Sequence, residues 1–497
     1  MASRTPGGRG GSIPLTKDMK LRLGNQWSAR ATVAKPGDAV LSAGGAGAGP
    51  ADALGLFEPA APAVILHDAA ATPSAVLGQP TQGALEFLPD ERAAYVLMQT
   101  VETADGLIYD FTLPQQPAGD DGAVLGGPET LTFPINPVAL AGPGGDSAVL
   151  GVGEIIGGVV GSELGGAIVK RAVQVLKSPF DSALHESIRR AEGEPWAGVL
   201  WDPAQSFAPI QGFEGWRMLL KPGQPHRVLL FIHGFGSMLG GPGTNEWFTQ
   251  LGQQYDAIIG YDHPTIWCDP EHNARELLAM IPDDLELSVD VVAHSRGGLV
   301  ARSLVELIEP QPKLNIRRLI TNGTPHGGTR LADPERWDRL VSLGMTAASV
   351  LAAPAGGLVW VPRILELVLK AASQVVFDLP GIGAMTPDGE FITKLNAAAR
   401  EGSIIAQAQD RVRYSVISSR YTSGGLASPT MQQALASFAA QTFFDKPNDL
   451  VVPTESMSRL DDTGLVPRSR RLQLDNDHFG YFSSGKAIAF MAQQLAD

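Results

Sequence analysis

The sequence predicts an α/β fold, a mostly parallel sheet with helices on both faces, preceded by a small β-rich domain. Three observations predict it. From about Trp196 onward, apolar strand-like runs alternate with stretches whose apolar residues recur at helical spacing, the pattern of a parallel sheet with covering helices. One of those runs passes into Ala293-His294-Ser295-Arg296-Gly297 and straight on into a helix. Before residue 142 the periodicity is instead that of strands.

Residues 1–16 read as a flexible tail and 17–141 as the β-rich domain. The clearest pair there is 95–101 with 107–113. In the second run Leu107, Tyr109, Phe111 and Leu113 alternate with Ile108, Asp110 and Thr112, and Ala104-Asp105-Gly106 supplies a hairpin turn. Residues 142–195 read as a connector. Its apolar stretch 155–169 is Gly-rich and carries Glu163, so it reads as a buried helix or linker and not as a membrane span.

Residues 196–497 read as one domain. Buried strands are expected at 227–232, 257–260, 287–293, 318–321, 413–418 and 471–474, with helices at 274–280 and 299–308. The run Val228-Leu229-Leu230-Phe231-Ile232 has no polar alternation, as a strand covered on both faces requires.

Composition removes several function classes. The net charge is -14, which opposes nucleic acid as a partner because phosphate binding needs a positive surface. A single cysteine, Cys268, excludes an intramolecular disulfide framework and a cysteine zinc cluster. Asp262, His263, Asp269 and His272 are ligand types without a recognised spacing, so loop polarity explains them better than a metal. No metal and no cofactor is expected. The first 20 residues lack a signal-peptide apolar core, and no uncharged apolar run reaches 18 residues, so a cytoplasmic location is expected. With Gly 57 and Pro 37 the chain is loop-rich but short of low-complexity disorder.

The chemistry centres on Ser295. A serine between a buried strand and a helix sits on a tight turn that pushes Oγ out over the sheet at the positive end of the helix. Small residues at Ala293 and Gly297 let neighbouring backbones crowd the turn. Acyl transfer also needs two N–H donors aimed at one oxyanion. Arg296, next after the serine, offers one backbone N–H. Phe235, in His233-Gly234-Phe235-Gly236 after the first buried strand, offers the other. Asp449, in Asn448-Asp449-Leu450-Val451-Val452, is placed to orient a histidine, and His478, in Asp477-His478-Phe479-Gly480, is the expected general base. The chain order Ser295, Asp449, His478 is the one known for such a serine turn. Asp445, Asp475 and Asp477 are alternative acids. His233, Gly234, His294 and Gly297 are expected to shape the site, and His326 to be structural.

With His233-Gly234-Phe235, Ala293-His294-Ser295-Arg296-Gly297-Gly298, Asn322-Gly323-Thr324-Pro325-His326-Gly327-Gly328, Asp449-Leu450-Val451-Val452 and His478, the chain resembles the α/β-hydrolase superfamily in its lipase-like branch, which includes bacterial triacylglycerol lipases and inositol deacylases. Met385-Thr386-Pro387-Asp388-Gly389-Glu390-Phe391 with Leu395-Asn396 resembles the segment that closes the lid of those lipases. The resemblance spans about residue 196 to the end and does not reach the first 195 residues. Ala293 stands where the usual motif has Gly, a substitution that occurs in that branch.

Residues 340–385 are then the expected cap. They are strongly apolar, with Ile364, Leu367 and Val368 spaced for one buried helical face. An acyl-binding lid and a cap that only packs on the sheet both fit. The implied function is a serine carboxylic-ester hydrolase acting on a small-molecule or lipid ester with a hydrophobic acyl group, with a lipid-interface contact through the lid as a further expectation. A thioesterase, amidase or acyltransferase would use the same triad. An effector protein, in which the N-terminal domain recruits the hydrolase, is a reading of a different class. Oligomeric state is not readable.

Overall fold

A computed structural model describes residues 12–23, 27–34, 56–71, 83–91, 93–103, 106–115, 130–135, 168–240, 245–338, 340–342, 358–360, 362–374, 379–397, 411–421, 446–460 and 466–496. The N-terminal strands are Ser12–Pro14 (β1), Met19–Arg22 (β2), Trp27–Val33 (β3), Glu58–Pro59 (β4), Val64–Ala71 (β5), Gly83–Phe87 (β6), Ala94–Thr103 (β7), Gly106–Thr112 (β8), Leu131–Ile135 (β9) and Ile168–Ser178 (β10). They form two antiparallel sheets, ordered β1-β2-β6-β9 and β3-β5-β10-β7-β8, with β4 on β10. Ile13, Leu21, Leu85 and Phe133 of the first sheet pack with Leu66, Leu97 and Val175 of the second. The expected hairpin is β7 with β8, paired from Leu97↔Thr112 to Thr103↔Gly106; turn residues 104 and 105 lie outside the described residues.

The expected connector needs a correction. Within residues 142–195, β10 is an inner strand that pairs with β4, β5 and β7, and Leu184–Glu192 is a helix (α1). The physical reason is strand alternation. Val173 and Val175 face the sandwich core, while Ala172 and Leu176 face the opposite way, into a second apolar cluster. Of the stretch 155–169, only Ile168 and Val169 are described.

The remaining strands are Trp196–Val199 (β11), Ala208–Pro209 (β12), Pro225–Ile232 (β13), Ser237–Leu239 (β14), Ala257–Asp262 (β15), Glu286–His294 (β16), Leu314–Asn322 (β17), Leu358–Trp360 (β18), Arg413–Ser419 (β19) and Arg471–Leu474 (β20). Eight of them form one sheet in the order β12-β11-β15-β13-β16-β17-β19-β20, parallel from β15 to β20. The antiparallel edge strands β11 and β12 have no counterpart among the expected strands. Helices cover both faces. Pro270–Met280 (α2) and Gly297–Glu306 (α3) meet Val228, Leu230 and Ile232, whereas the C-terminal helix Gly485–Ala496 (α7) meets Leu229 and Phe231. The chain runs from β13 outward to β15, then returns to β16 on the other side. This switch point lies at the carboxyl ends of β13 and β16, the place where open α/β sheets bind ligands.

Three helices follow β18: Pro362–Ser373 (α4), Pro380–Gly383 (α5) and Glu390–Ala397 (α6). α4 differs from the expected single buried face. Leu365, Glu366, Leu367, Val368, Leu369, Lys370, Ala371 and Ala372 are all buried, as in a helix enclosed on every side. Val96 and Met98 of β7, Phe111 of β8 and Leu176 of β10 cover it from the N-terminal sheet. Polar contacts join the two units. The Phe111 N–H donates to Ser342 Oγ at 2.8 Å, and Lys370 Nζ lies 3.5 Å from Asp181 Oδ2. Residues 343–357 and 375–378 of the expected cap lie outside the described residues. No helix among the described residues is long and apolar enough to cross a membrane.

Phe111 is fully buried between the N-terminal sheet and the cap. Phe111→Ala should lower the unfolding free energy by about 3–5 kcal/mol, seen as a lower midpoint in denaturant titration.

Candidate functional site

Ser295 occupies the turn between β16 and α3 with φ 52°, a left-handed conformation that costs a non-glycine residue about 1–2 kcal/mol. Its neighbours must be small. A Cβ on Gly234 would lie 2.8 Å from Ser295 Cβ, and one on Gly297 would lie 2.4 Å from the carbonyl oxygens of both Ile232 and His233. The Ser295 N–H donates to Asn322 O at 2.8 Å, and Asn322 Nδ2 donates to Ala293 O at 3.1 Å, so β17 braces the turn. Ala293 is fully buried and its methyl is accommodated where the usual motif has Gly.

Three residues distant in sequence meet here. His478 Nε2 is 2.9 Å from Ser295 Oγ, and His478 Nδ1 is 2.7 Å from Asp449 Oδ2. Asp449 is fully buried yet well solvated by protein. Its Oδ1 accepts the N–H groups of Val451 at 3.1 Å and Val452 at 2.8 Å, and its Oδ2 also accepts the Tyr481 hydroxyl at 2.8 Å. With Asp449 Oδ2 accepting, His478 carries its proton on Nδ1 and presents Nε2 as an acceptor to the serine. Asp477 Oδ1 instead accepts the Phe479 N–H, at 2.9 Å. Burial raises the pKa of Asp477. Asp445 lies outside the described residues.

Tyr481 was not anticipated, since a tyrosine three residues after a histidine carries no motif. Burial, then the charge of Asp449, raises its pKa well above normal, so it stays a donor to that carboxylate. Leu450, next to Asp449, is buried at φ 87°, so the acid loop holds a second strained residue.

The residues expected to shape the site hold its loops. His233 Nδ1 donates to Gly234 O at 2.9 Å, and its Nε2 accepts the His263 N–H at 3.2 Å. His294 Nε2 donates to His478 O at 3.0 Å, and burial pulls its pKa well below the usual histidine value, so it is neutral. His326 lies behind the turn, 3.2 Å from Thr321 Oγ1, and burial likewise keeps it neutral. Asp269 caps α2 by accepting the His272 N–H at 2.9 Å, and Asp262 accepts the Leu239 N–H at 2.9 Å; no group of three metal-ligand side chains gathers among the described residues. The Cys268 thiol is buried, and burial pushes its pKa up to about 12, so it holds no ready thiolate.

The loop carrying Phe235 is fixed by a residue outside every motif. Glu192, at the end of α1, is partly buried. Its Oε1 accepts the Thr265 N–H at 2.6 Å and the Thr265 hydroxyl at 2.9 Å, while its Oε2 accepts the N–H groups of Ile266 at 3.0 Å and Trp267 at 3.2 Å. Because the Thr265 hydroxyl spends its single proton on Glu192, its lone pair accepts the Gly236 N–H, at 3.1 Å. The buried Arg296 side chain reaches the same segment. It donates to Cys268 O, and its Nε donates to Gly381 O of α5 at 3.1 Å. Burial lowers the Arg296 pKa only to about 10, leaving it charged near neutrality. The 265–268 loop therefore joins the Phe235 loop, the residue after Ser295, the end of the cap and α1. A glutamate at a helix end gives no sequence signal for this.

The site is closed over. Ser295 is 5% exposed and His478 2%. Phe235, Ile266, Leu450 and Phe479 join the apolar cluster that contains α4.

A family model described as Domain of unknown function (DUF7379) matches residues 197–496. No curated protein matches the chain. Among solved structures it is similar to lipase BlEst2 of Bacillus licheniformis in mature form, 16% identical over 61% of this chain and 97% of that one, TM-score 0.33. It is also similar to lipase 1 from Pelosinus fermentans, 16% identical over 55% and 98%, TM-score 0.38. A third is a hydrolase from Oleispira antarctica, 14% identical over 56% and 93%, TM-score 0.28.

Proposed function

We propose, for a chain that belongs to the family described as Domain of unknown function (DUF7379), that it is a serine hydrolase of carboxylic esters of the α/β-hydrolase type. One observation carries the reading: the continuous hydrogen-bonded chain from Ser295 Oγ through His478 to Asp449, at 2.9 and 2.7 Å, on a strained turn at the carboxyl end of a parallel sheet. His478 takes the Ser295 proton on Nε2 as Oγ attacks the acyl carbonyl. The N–H groups of Phe235 and Arg296 hold the oxyanion. The same histidine then protonates the departing alcohol, and afterwards activates water to release the acid from the acyl-enzyme. Asp449 fixes the tautomer and stabilises the imidazolium, and Tyr481 keeps that carboxylate in place. The apolar surroundings of Phe235, Leu450 and Phe479 favour an acyl group that is itself hydrophobic.

Within this reading Glu192 is a positioning residue. It orients the Thr265 hydroxyl, which holds Gly236 and thereby the direction of the Phe235 N–H.

Three outcomes are expected. Ser295→Ala should abolish labelling by a fluorophosphonate probe while circular dichroism stays unchanged; persistent labelling would remove the serine from the mechanism. Glu192→Gln should lower kcat by up to about 100-fold with KM little changed, since an oxyanion donor contributes about 10²–10³ in rate. An equal loss in KM, or normal kcat, would make the glutamate merely structural. In a p-nitrophenyl ester series, kcat/KM should rise from short to medium acyl chains; a preference for acetate throughout would contradict the hydrophobic acyl group.

A further inference from the structure

A cavity of about 310 Å³ opens at the end of the large sheet away from Ser295, and its character is unlike that of the rest of the chain. Arg318, Arg413 and Arg470 line it together with Ser415, Ser469 and two glutamines, and among the described residues no aspartate or glutamate does. This basic lining occurs in a protein whose net charge is -14.

The position follows from strand register. Arg413 opens β19 and pairs with Arg318 of β17. Ser419, at the other end of β19, donates its hydroxyl to Asn476 O at 2.6 Å, two residues before His478. Six residue steps of about 3.3 Å separate the two ends, so the cavity lies ~20 Å from the serine along one strand.

The charge is not balanced internally. Arg318 is matched, since its Nη1 bonds both oxygens of Asp290, at 3.1 and 2.9 Å. Yet its Nε is buried without a hydrogen-bond partner. Arg413 and Arg470 form no ion pair among the described residues. Burial, then the charge of Arg413, pulls the Arg470 pKa down, as like charges held together require. The carbonyl end of α7, which brings Gln493 and Gln494 to the cavity, supplies only about half a negative charge. Among the described residues, more than one positive charge is therefore left over in a concave site. Further donors stand beside it. Ser415 Oγ is engaged with Gln494 Oε1 at 3.2 Å, and Gln494 Nε2 with Ser469 O at 3.3 Å, so the wall is held in place.

We propose that this cavity binds a phosphate-bearing anion. Two unpaired guanidinium forks match the tetrahedral oxygens of a phosphoryl group in bidentate fashion, and a compact monovalent ion would satisfy only one of them. The ligand is either free phosphate or a phosphomonoester whose organic part fills the remaining volume.

Isothermal titration of the full-length protein at constant ionic strength tests this, with inorganic phosphate in one arm and glycerol 3-phosphate in the other. Saturable binding at one site is expected, weakened about tenfold by Arg413→Gln and again by Arg470→Gln. Both arginines are away from the buried core, and an unchanged melting temperature without ligand establishes that the variants fold. Ser295→Ala should bind as wild type does, which separates this site from the hydrolase centre. Tighter binding of the monoester identifies an esterified phosphate as the ligand, and the reverse identifies the free ion. Absence of saturable binding in both arms, or undiminished affinity in the double variant, overturns the proposal.

Discussion

Three backbones meet at the turn after β16, and that crowding sets the rest of the molecule. Ser295 sits at φ 52°, and the neighbouring positions tolerate almost no side-chain volume: a Cβ on Gly298 would meet Thr324 Oγ1 at 2.0 Å. The strain of such a residue persists only when its surroundings over-determine it. Here β17 holds the turn through Asn322, and α3 continues from it without a break. The body of α3 is anchored as well. Arg302 and Glu306, both fully buried, pair at 2.8 Å, and Arg302 also donates to Leu395 O and Asn396 Oδ1 of α6. Tyr414 completes the set by donating to Glu306 Oε1. A buried ion pair is weak evidence for net stability, because desolvation offsets its attraction. Its value here is geometric: it ties the helix that starts at Ser295 to the segment that follows the cap.

The N-terminal sandwich belongs to the same mechanical unit. Its larger sheet is apolar on both faces, one toward the other sheet and one toward α4. α4 is consequently an interior helix, and Glu366 and Lys370 are buried with its leucines. α1 then carries Glu192 from that unit into the 265–268 loop, where one carboxylate gathers three N–H groups and a hydroxyl. Burial raises the Glu192 pKa while these hydrogen-bond donors lower it, and its charge in turn raises the pKa of the buried Arg296 guanidinium.

What could be read from the sequence was what repeats locally. Six strands of the large sheet were legible because a sheet covered on both faces leaves continuous apolar runs such as Val228 to Ile232. The serine turn, the His233 loop and the segments holding Asp449 and His478 were legible because backbone crowding and chain order leave small residues and chemistry-bearing side chains at characteristic places. The rest depends on partners far away in sequence. Strand β10 carries no local mark of its role, since its neighbours β5 and β7 lie 70–100 residues earlier. Tyr481 and Glu192 are ordinary residues until folding brings Asp449 and Thr265 to them. The single buried face expected for α4 failed for the same reason: its second face is covered by a sheet whose presence there no local pattern encodes.

The two ends of the sheet differ in how they treat charge. At the carboxyl ends, Asp449 and Glu192 are each surrounded by donors, and the buried histidines 294 and 326 are held neutral. These carboxylates are matched and these histidines are uncharged, which lowers the penalty of burying them. At the opposite end, Arg413 and Arg470 line a cavity whose described wall has no carboxylate. Arg413 and Arg470 differ in that no carboxylate pairs with them among the described residues. An exception in a concave site is the form that a binding surface takes when its ligand supplies the missing charge.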